Sequence, residues 1–201
     1  MPGFNAAARL AVVLAAVAAS AEPTAEQIGQ VRVYFSAEEA LQRAWPGATR
    51  FDTRLLAVTD TLRARLYERG IRSFAGDSVA VYIARDSTDT PLGYATMGEE
   101  IGKYRPITFL VAVDLQLRVS SVAILVYRES RGGEVRRQRF LRQYRGKQVG
   151  DPIRINRDII NITGATLSVR ALNAGVRKAL FLLQAAFDET QPNQHTPSHP
   201  R

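Results

Sequence analysis

No cysteine occurs anywhere in this chain of 201 residues. That absence removes disulfides, thiolate nucleophiles, Cys-ligated zinc, iron–sulfur clusters and thioether-linked haem, and with them an acyl-cysteine membrane anchor. Histidine is almost missing as well. His195 and His199 both fall in the terminal stretch Gln191 to Arg201, which has three prolines and only polar companions. Such a tail is expected to be disordered, so the folded part has no imidazole for base catalysis or metal ligation, and no metal site is expected. Long apolar runs are lacking too: Leu10 to Ala19 is well short of the roughly 20 residues that a membrane-spanning helix needs. Acid is in deficit, with 19 Asp and Glu against 27 Lys and Arg, a net charge of +8.

What remains is the composition of an ordinary folded chain, 46% apolar and 23% charged, long enough for one domain with a proper core. Arg9, the short apolar run and Ala19-Ser20-Ala21 before Glu22 form the three parts of a secretory signal peptide. Residues 1–21 are therefore expected to direct export to the periplasm or another extracytoplasmic space, an uncleaved anchor being the alternative. The mature chain loses only Arg9 among its charges and keeps its basic excess.

Much of that excess is local. Eight basic residues lie between Arg128 and Lys147, against Glu129 and Glu134. Such a cluster attracts nucleic acid, an anionic membrane or an acidic protein; equally, it can be a solvated helix face whose arginine stems cover apolar surface. Export and the absence of interleaved aromatic stacking platforms argue against nucleic acid as a partner.

Ser36 with Glu39 forms a capping box, and the helix it opens should stop at Trp45-Pro46-Gly47. Asp60 is an N-cap candidate for a second helix, with Leu62 and Leu66 on one face and Gly70 as its stop. The middle of the chain reads as β-structure. Val79–Ala84 and Leu92–Ala95 flank the polar Arg85–Thr90 as a hairpin, and Ile107–Val113 and Val119–Tyr127 form a second one. Apolar residues at nearly every position of the second hairpin predict burial on both faces, hence a central place in a covered sheet. The glycine-rich turn Glu129-Ser130-Arg131-Gly132-Gly133 follows it. Val135, Phe140, Leu141 and Tyr144 then suggest a basic amphipathic helix from Glu134 to Tyr144, stopped by Gly146. A long helix is predicted over Leu167–Phe187 from Val169, Leu172, Val176, Leu180, Leu183 and Phe187.

Directly ahead of that helix stands Thr163-Gly164-Ala165-Thr166-Leu167-Ser168. A small, hydroxyl-rich turn at a helix start offers unpaired N–H groups and the positive end of the helix dipole to an anion. It reads as a phosphate seat in which Gly164 and Ala165 let the backbone close in and Thr163 and Ser168 donate hydroxyls. It also reads as a plain helix cap.

Taken together, the strand hairpin, the Glu129–Gly133 turn and the Thr163–Ser168 turn resemble the FMN-binding domain family. Its members are the flavin subunits of the Rnf and sodium-pumping NADH:quinone reductase complexes and their extracytoplasmic relatives. The similarity covers roughly Val79 to Phe187. It implies an α+β fold, a central antiparallel sheet covered by helices, with the long C-terminal helix after the flavin-binding turn. It also implies FMN, joined by a phosphoester to Thr166 by a dedicated flavin transferase, with Thr163, Gly164, Ala165, Leu167 and Ser168 around the phosphate. Glu129, Ser130, Gly132 and Gly133 are expected at the ring's rim, with Lys103 and Tyr104 as further candidates.

The family pattern carries an acid three positions before the first hydroxyl residue of the turn; here Ile160 stands there, with Asp158 two residues earlier. The domain organisation that follows is a signal peptide (1–21), an N-terminal helical lead and packing segment (22–78), the FMN-binding domain (79–190) and the tail (191–201). The expected function is electron transfer with a redox partner protein, membrane-bound or not, and not an independent enzymatic reaction. A non-redox periplasmic assembly module docking through the basic helix is the alternative.

Overall fold

A computed structural model describes residues 30–71, 74 and 76–188 of the chain. The expected signal peptide and the expected disordered tail lie outside the described residues. Six strands form one antiparallel sheet: β1 (Arg32–Val33), β2 (Arg50–Ala57), β3 (Ser78–Arg85), β4 (Pro91–Ile101), β5 (Pro106–Val113) and β6 (Val119–Tyr127). Their order across the sheet is β1-β6-β5-β4-β3-β2, so β2 to β6 run as a meander and the short β1 closes the β6 edge. Both predicted hairpins are present. β1 and β2 come from the segment expected to be a helical lead. Their polar and charged residues gave no apolar alternation, because edge strands of this kind bury little.

The sheet is covered on both sides. Ile107, Phe109, Val111 and Val113 of β5 face one core, and Leu110 and Ala112 face the other. Both sets are fully buried, as the unbroken apolar run predicted. The first core is closed by the long helix α4 (Thr166–Asp188), which packs chiefly on β4 and β5, and by α2 (Asp60–Glu68). The second is closed by α1 (Ala37–Ala44) and Trp45. The α1 capping box is formed: Ser36 N–H donates to Glu39 Oε2 at 2.8 Å, and Glu39 N–H to Ser36 Oγ at 3.1 Å. Helix α2 is capped by Thr59, whose Oγ1 accepts from Leu62 N–H at 3.2 Å, and not by Asp60, which is its first helical residue. No helix among the described residues is long and apolar enough to cross a membrane.

The basic stretch after β6 departs from expectation. In place of one helix there are a 3-10 turn (Gly133–Arg136), a single turn of α-helix, α3 (Gln138–Leu141), and a second 3-10 turn (Arg142–Tyr144), with Arg137 extended between the first two. Periodicity explains the break. Val135 and Phe140 would lie about 140° apart on a continuous helix, yet both are buried in one core. Breaking at Arg137 re-phases the chain so that Val135, Phe140, Leu141 and Tyr144 all point inward.

Helix α4 is pinned to β4 by an ion pair between Lys178 and Glu100, both nearly buried. A turn away, Gly175 receives the edge of the Phe109 ring, and a Cβ there would overlap Phe109 Cζ. Phe109 is itself buried and walled in, so relief is costly. Gly175→Ala is expected to lower stability by roughly 1–3 kcal/mol through overpacking. Urea denaturation would show it as a lower midpoint, and an unchanged midpoint would refute the packing argument.

Candidate functional site

Three segments meet at one end of the sheet: the β4–β5 turn, the loop leaving β6, and the turn that opens α4. Between them lies a cleft of about 730 Å³ lined by Lys103, Tyr104, residues 129–131 and residues 164–168. Glu129, Ser130, Gly164, Ala165, Thr166, Leu167 and Ser168 thus come together there, as do Lys103 and Tyr104. Thr163 is exposed and outside the lining, and Gly132 and Gly133 lie behind the wall, not in it.

The α4 turn is built for close approach. Ala165 N–H donates to Ile162 O at 3.0 Å, and Gly164 carries the positive φ of +83° that such a turn requires at its third position. Val169 is the first residue bonded back into the helix, to Ala165 O at 2.9 Å. The N–H groups of Thr166, Leu167 and Ser168 therefore form the open first turn at the positive end of a 23-residue helix. Thr166 Oγ1 accepts from Asn161 Nδ2 at 2.9 Å, which fixes the side chain and leaves its own proton uncommitted. Asn161 Oδ1 is buried with no hydrogen-bond partner.

Ser168 has a different role from the phosphate donor expected of it. Its Oγ lies 2.8 Å from Tyr127 Oη, and Tyr127 donates its single proton to Arg131 O at 2.5 Å. Ser168 must then give its proton to Tyr127, and none is left for an anion. Gly132 is glycine because of this contact: with φ +88°, a Cβ there would come within 2.5 Å of Ser168 Oγ and 2.7 Å of Tyr127 Oη. Burial pushes the Tyr127 phenol up to about 12, against the lowering effect of the Ser168 hydrogen bond. Glu129 likewise serves the wall. Its Oε1 accepts from the N–H groups of Lys103, Tyr104 and Arg105 at 2.5, 2.6 and 3.0 Å, fixing the β4–β5 turn.

Asp158 does not substitute for an acid at position 160. Its carboxylate accepts from Ile153 N–H, Arg154 N–H and Lys147 Nζ at 3.0, 2.8 and 2.8 Å. Burial raises its pKa, but those donors outweigh burial and hold it below the usual carboxylate value. Ile160 is 78% exposed. Sequence reasoning missed Asn161, Tyr127 and the Arg131 carbonyl. No spacing rule connects a tyrosine at a strand end to a serine 41 residues later.

The family model described as FMN-binding domain matches residues 102–181, which contain every wall of the cleft. The chain is also similar to a crystal structure from Parabacteroides distasonis, one of the subunits of its Na(+)-translocating NADH-quinone reductase. The TM-score is 0.51 at 16% identity, covering 80% of this chain and 87% of that one. At that identity the likeness establishes the fold. No curated protein matches the chain. Residues 102–181 thus resemble an FMN-binding domain, on an α+β fold with a covered antiparallel sheet.

The Tyr127 network has a measurable signature. A phenol that holds its proton more tightly in the fold than in the unfolded chain stabilises the fold fully below about pH 10, and that contribution fades as pH rises through about 12. Burial raises the Tyr144 phenol as well. In an alkaline absorbance titration Tyr127 and Tyr144 should ionise late, as the fold opens. Tyr127→Phe should remove one late step and cost roughly 1–3 kcal/mol, since it strips Arg131 O and Ser168 of their partner. A titration curve identical to wild type would overturn the assignment.

Proposed function

We propose that the protein is an exported electron-transfer flavoprotein whose FMN is esterified through its phosphate to Thr166. The observation that carries this reading is the placement of Thr166. Its hydroxyl is the first side-chain oxygen of α4, it borders the cleft, and three unpaired N–H groups follow the chain around it. The cleft volume is within the roughly 300–1,000 Å³ of cofactor sites. The open donors of residues 166–168 fit a phosphate, and Lys103 and Arg131 at the walls add positive charge. The residues present fit FMN.

In the cleft, the α4 N-terminus would hold the phosphate, with Gly164 allowing close backbone approach. Asn161 would orient Thr166, and Glu129 would keep the Lys103–Arg105 turn at a fixed distance from α4. Bound FMN supplies one- or two-electron transfer, which needs no histidine, cysteine or metal from the chain. A flavin transferase would install the ester, and a redox partner would exchange electrons at the cleft mouth. The similar Parabacteroides distasonis protein belongs to an NADH-quinone reductase, which agrees with such a partner. Residues 1–21 support placing the protein in the periplasm, since a covalent link retains a cofactor that is scarce outside the cell.

The test is co-expression with a flavin transferase, followed by the visible spectrum and intact mass. A yellow protein heavier by one FMN ester is expected. Thr166→Ala should lose the mass adduct while keeping its circular dichroism spectrum. An adduct that persists in Thr166→Ala would refute the attachment site, and a colourless wild-type protein would refute the flavoprotein reading.

A further inference from the structure

The basic stretch that the flavin reading leaves unused forms a surface of its own. Of the eight basic residues between positions 128 and 147, Arg128 is tied to Glu99, Thr108 and Pro106 O, and Lys147 to Asp158. The other six, Arg131, Arg136, Arg137, Arg139, Arg142 and Arg145, are exposed, and none has an ion-pair partner among the described residues. The loop at 153–160 lies against this stretch, held by Gln143, whose Oε1 accepts from Ile160 N–H at 2.7 Å, and by the Lys147–Asp158 pair. It carries the exposed Arg154 and Arg157.

Apolar groups are set among these charges. Ile160, 78% exposed, forms with Phe140 and Ile162 the apolar part of a groove of about 320 Å³ that Arg137 and Arg139 also line. At the neighbouring sheet edge, Val31 and Val33 are 61% and 69% exposed, and the Arg136 guanidinium lies 4.9 Å from the centre of the Tyr34 ring. The chain therefore enters the described fold beside the arginines.

We propose that this face docks the protein on an anionic lipid bilayer, the arginines binding headgroup phosphates and Ile160, Val31 and Val33 entering the interface. Guanidinium groups pair with phosphate oxygens in two-pronged fashion. Basic residues combined with exposed aliphatic side chains are the make-up of interfacial binding surfaces. An acidic protein partner would account for the arginines but not for the three bare aliphatic side chains Ile160, Val31 and Val33. Asn161 lines this groove and also holds Thr166, so docking would bring the cleft close to the bilayer. The proposal does not depend on the flavin.

The test is co-sedimentation of the protein, in the form that the cell exports, with phosphatidylglycerol-containing vesicles and with pure phosphatidylcholine vesicles. Binding to the anionic vesicles at low salt is expected, weakening as salt screens the charges. The combined change Arg137→Gln, Arg139→Gln, Arg142→Gln should weaken it about a hundredfold, at about fivefold per arginine. Equal charge removed elsewhere, by Arg50→Gln, Arg54→Gln and Arg65→Gln, should change it by no more than about threefold. Ile160→Ser should weaken binding in a salt-independent way. Equal binding to neutral vesicles, equal loss in the two triple variants, or binding to an acidic protein with none to anionic lipid would each overturn the proposal.

Discussion

One buried hydroxyl pair decides whether the cleft exists. Tyr127 closes β6 and Ser168 stands in the first turn of α4; their contact at 2.8 Å joins the sheet to the helix end that would receive an anion. The direction of the protons follows from it: Tyr127 donates to Arg131 O and Ser168 donates to Tyr127. That chain orients the loop after β6, demands glycine at position 132, and leaves the α4 first turn to act through its backbone. Glu129 extends the same logic across the cleft, one carboxylate oxygen gathering three N–H groups of the opposite wall. The polar residues nearest the site thus serve mainly to hold its walls apart.

Much of this was legible in sequence because it depends on periodicity and caps. The β3–β4 and β5–β6 hairpins, the two-sided burial of β5, the Ser36–Glu39 capping box and α4 all follow from patterns that physics imposes locally. The hydroxyl-rich turn at 163–168 does open that helix and borders the cleft. What escaped were elements with no local pattern. β2 mixes charged and apolar residues without alternation and acquires its identity by pairing with β3 along its whole length. The stretch 133–144 has the composition of a helix but the wrong phase for one, and tertiary burial of Val135 and Phe140 decided its form.

The candidate site residues divided the same way. Thr166, Gly164 and Glu129 are where reading by motif placed them, in or around the cleft. Their neighbours Asn161 and Tyr127 are there because of contacts across the fold, and no spacing announces them. Ser168 shows the opposite failure, since its sequence position suggested an anion donor and its geometry commits the proton elsewhere.

The two rims of the sheet have opposite characters. On one side β6 is covered by a partner of only two residues, and the re-phased turns after it pack beside it. On the other, β2 is outermost over eight residues, and Arg50, Asp52, Arg85 and Asp89 form a lattice of ion pairs along its first half. A second molecule adding a strand there would have to bring its backbone past fixed charges of both signs. The molecule is thereby guarded against growing edge to edge into stacked aggregates.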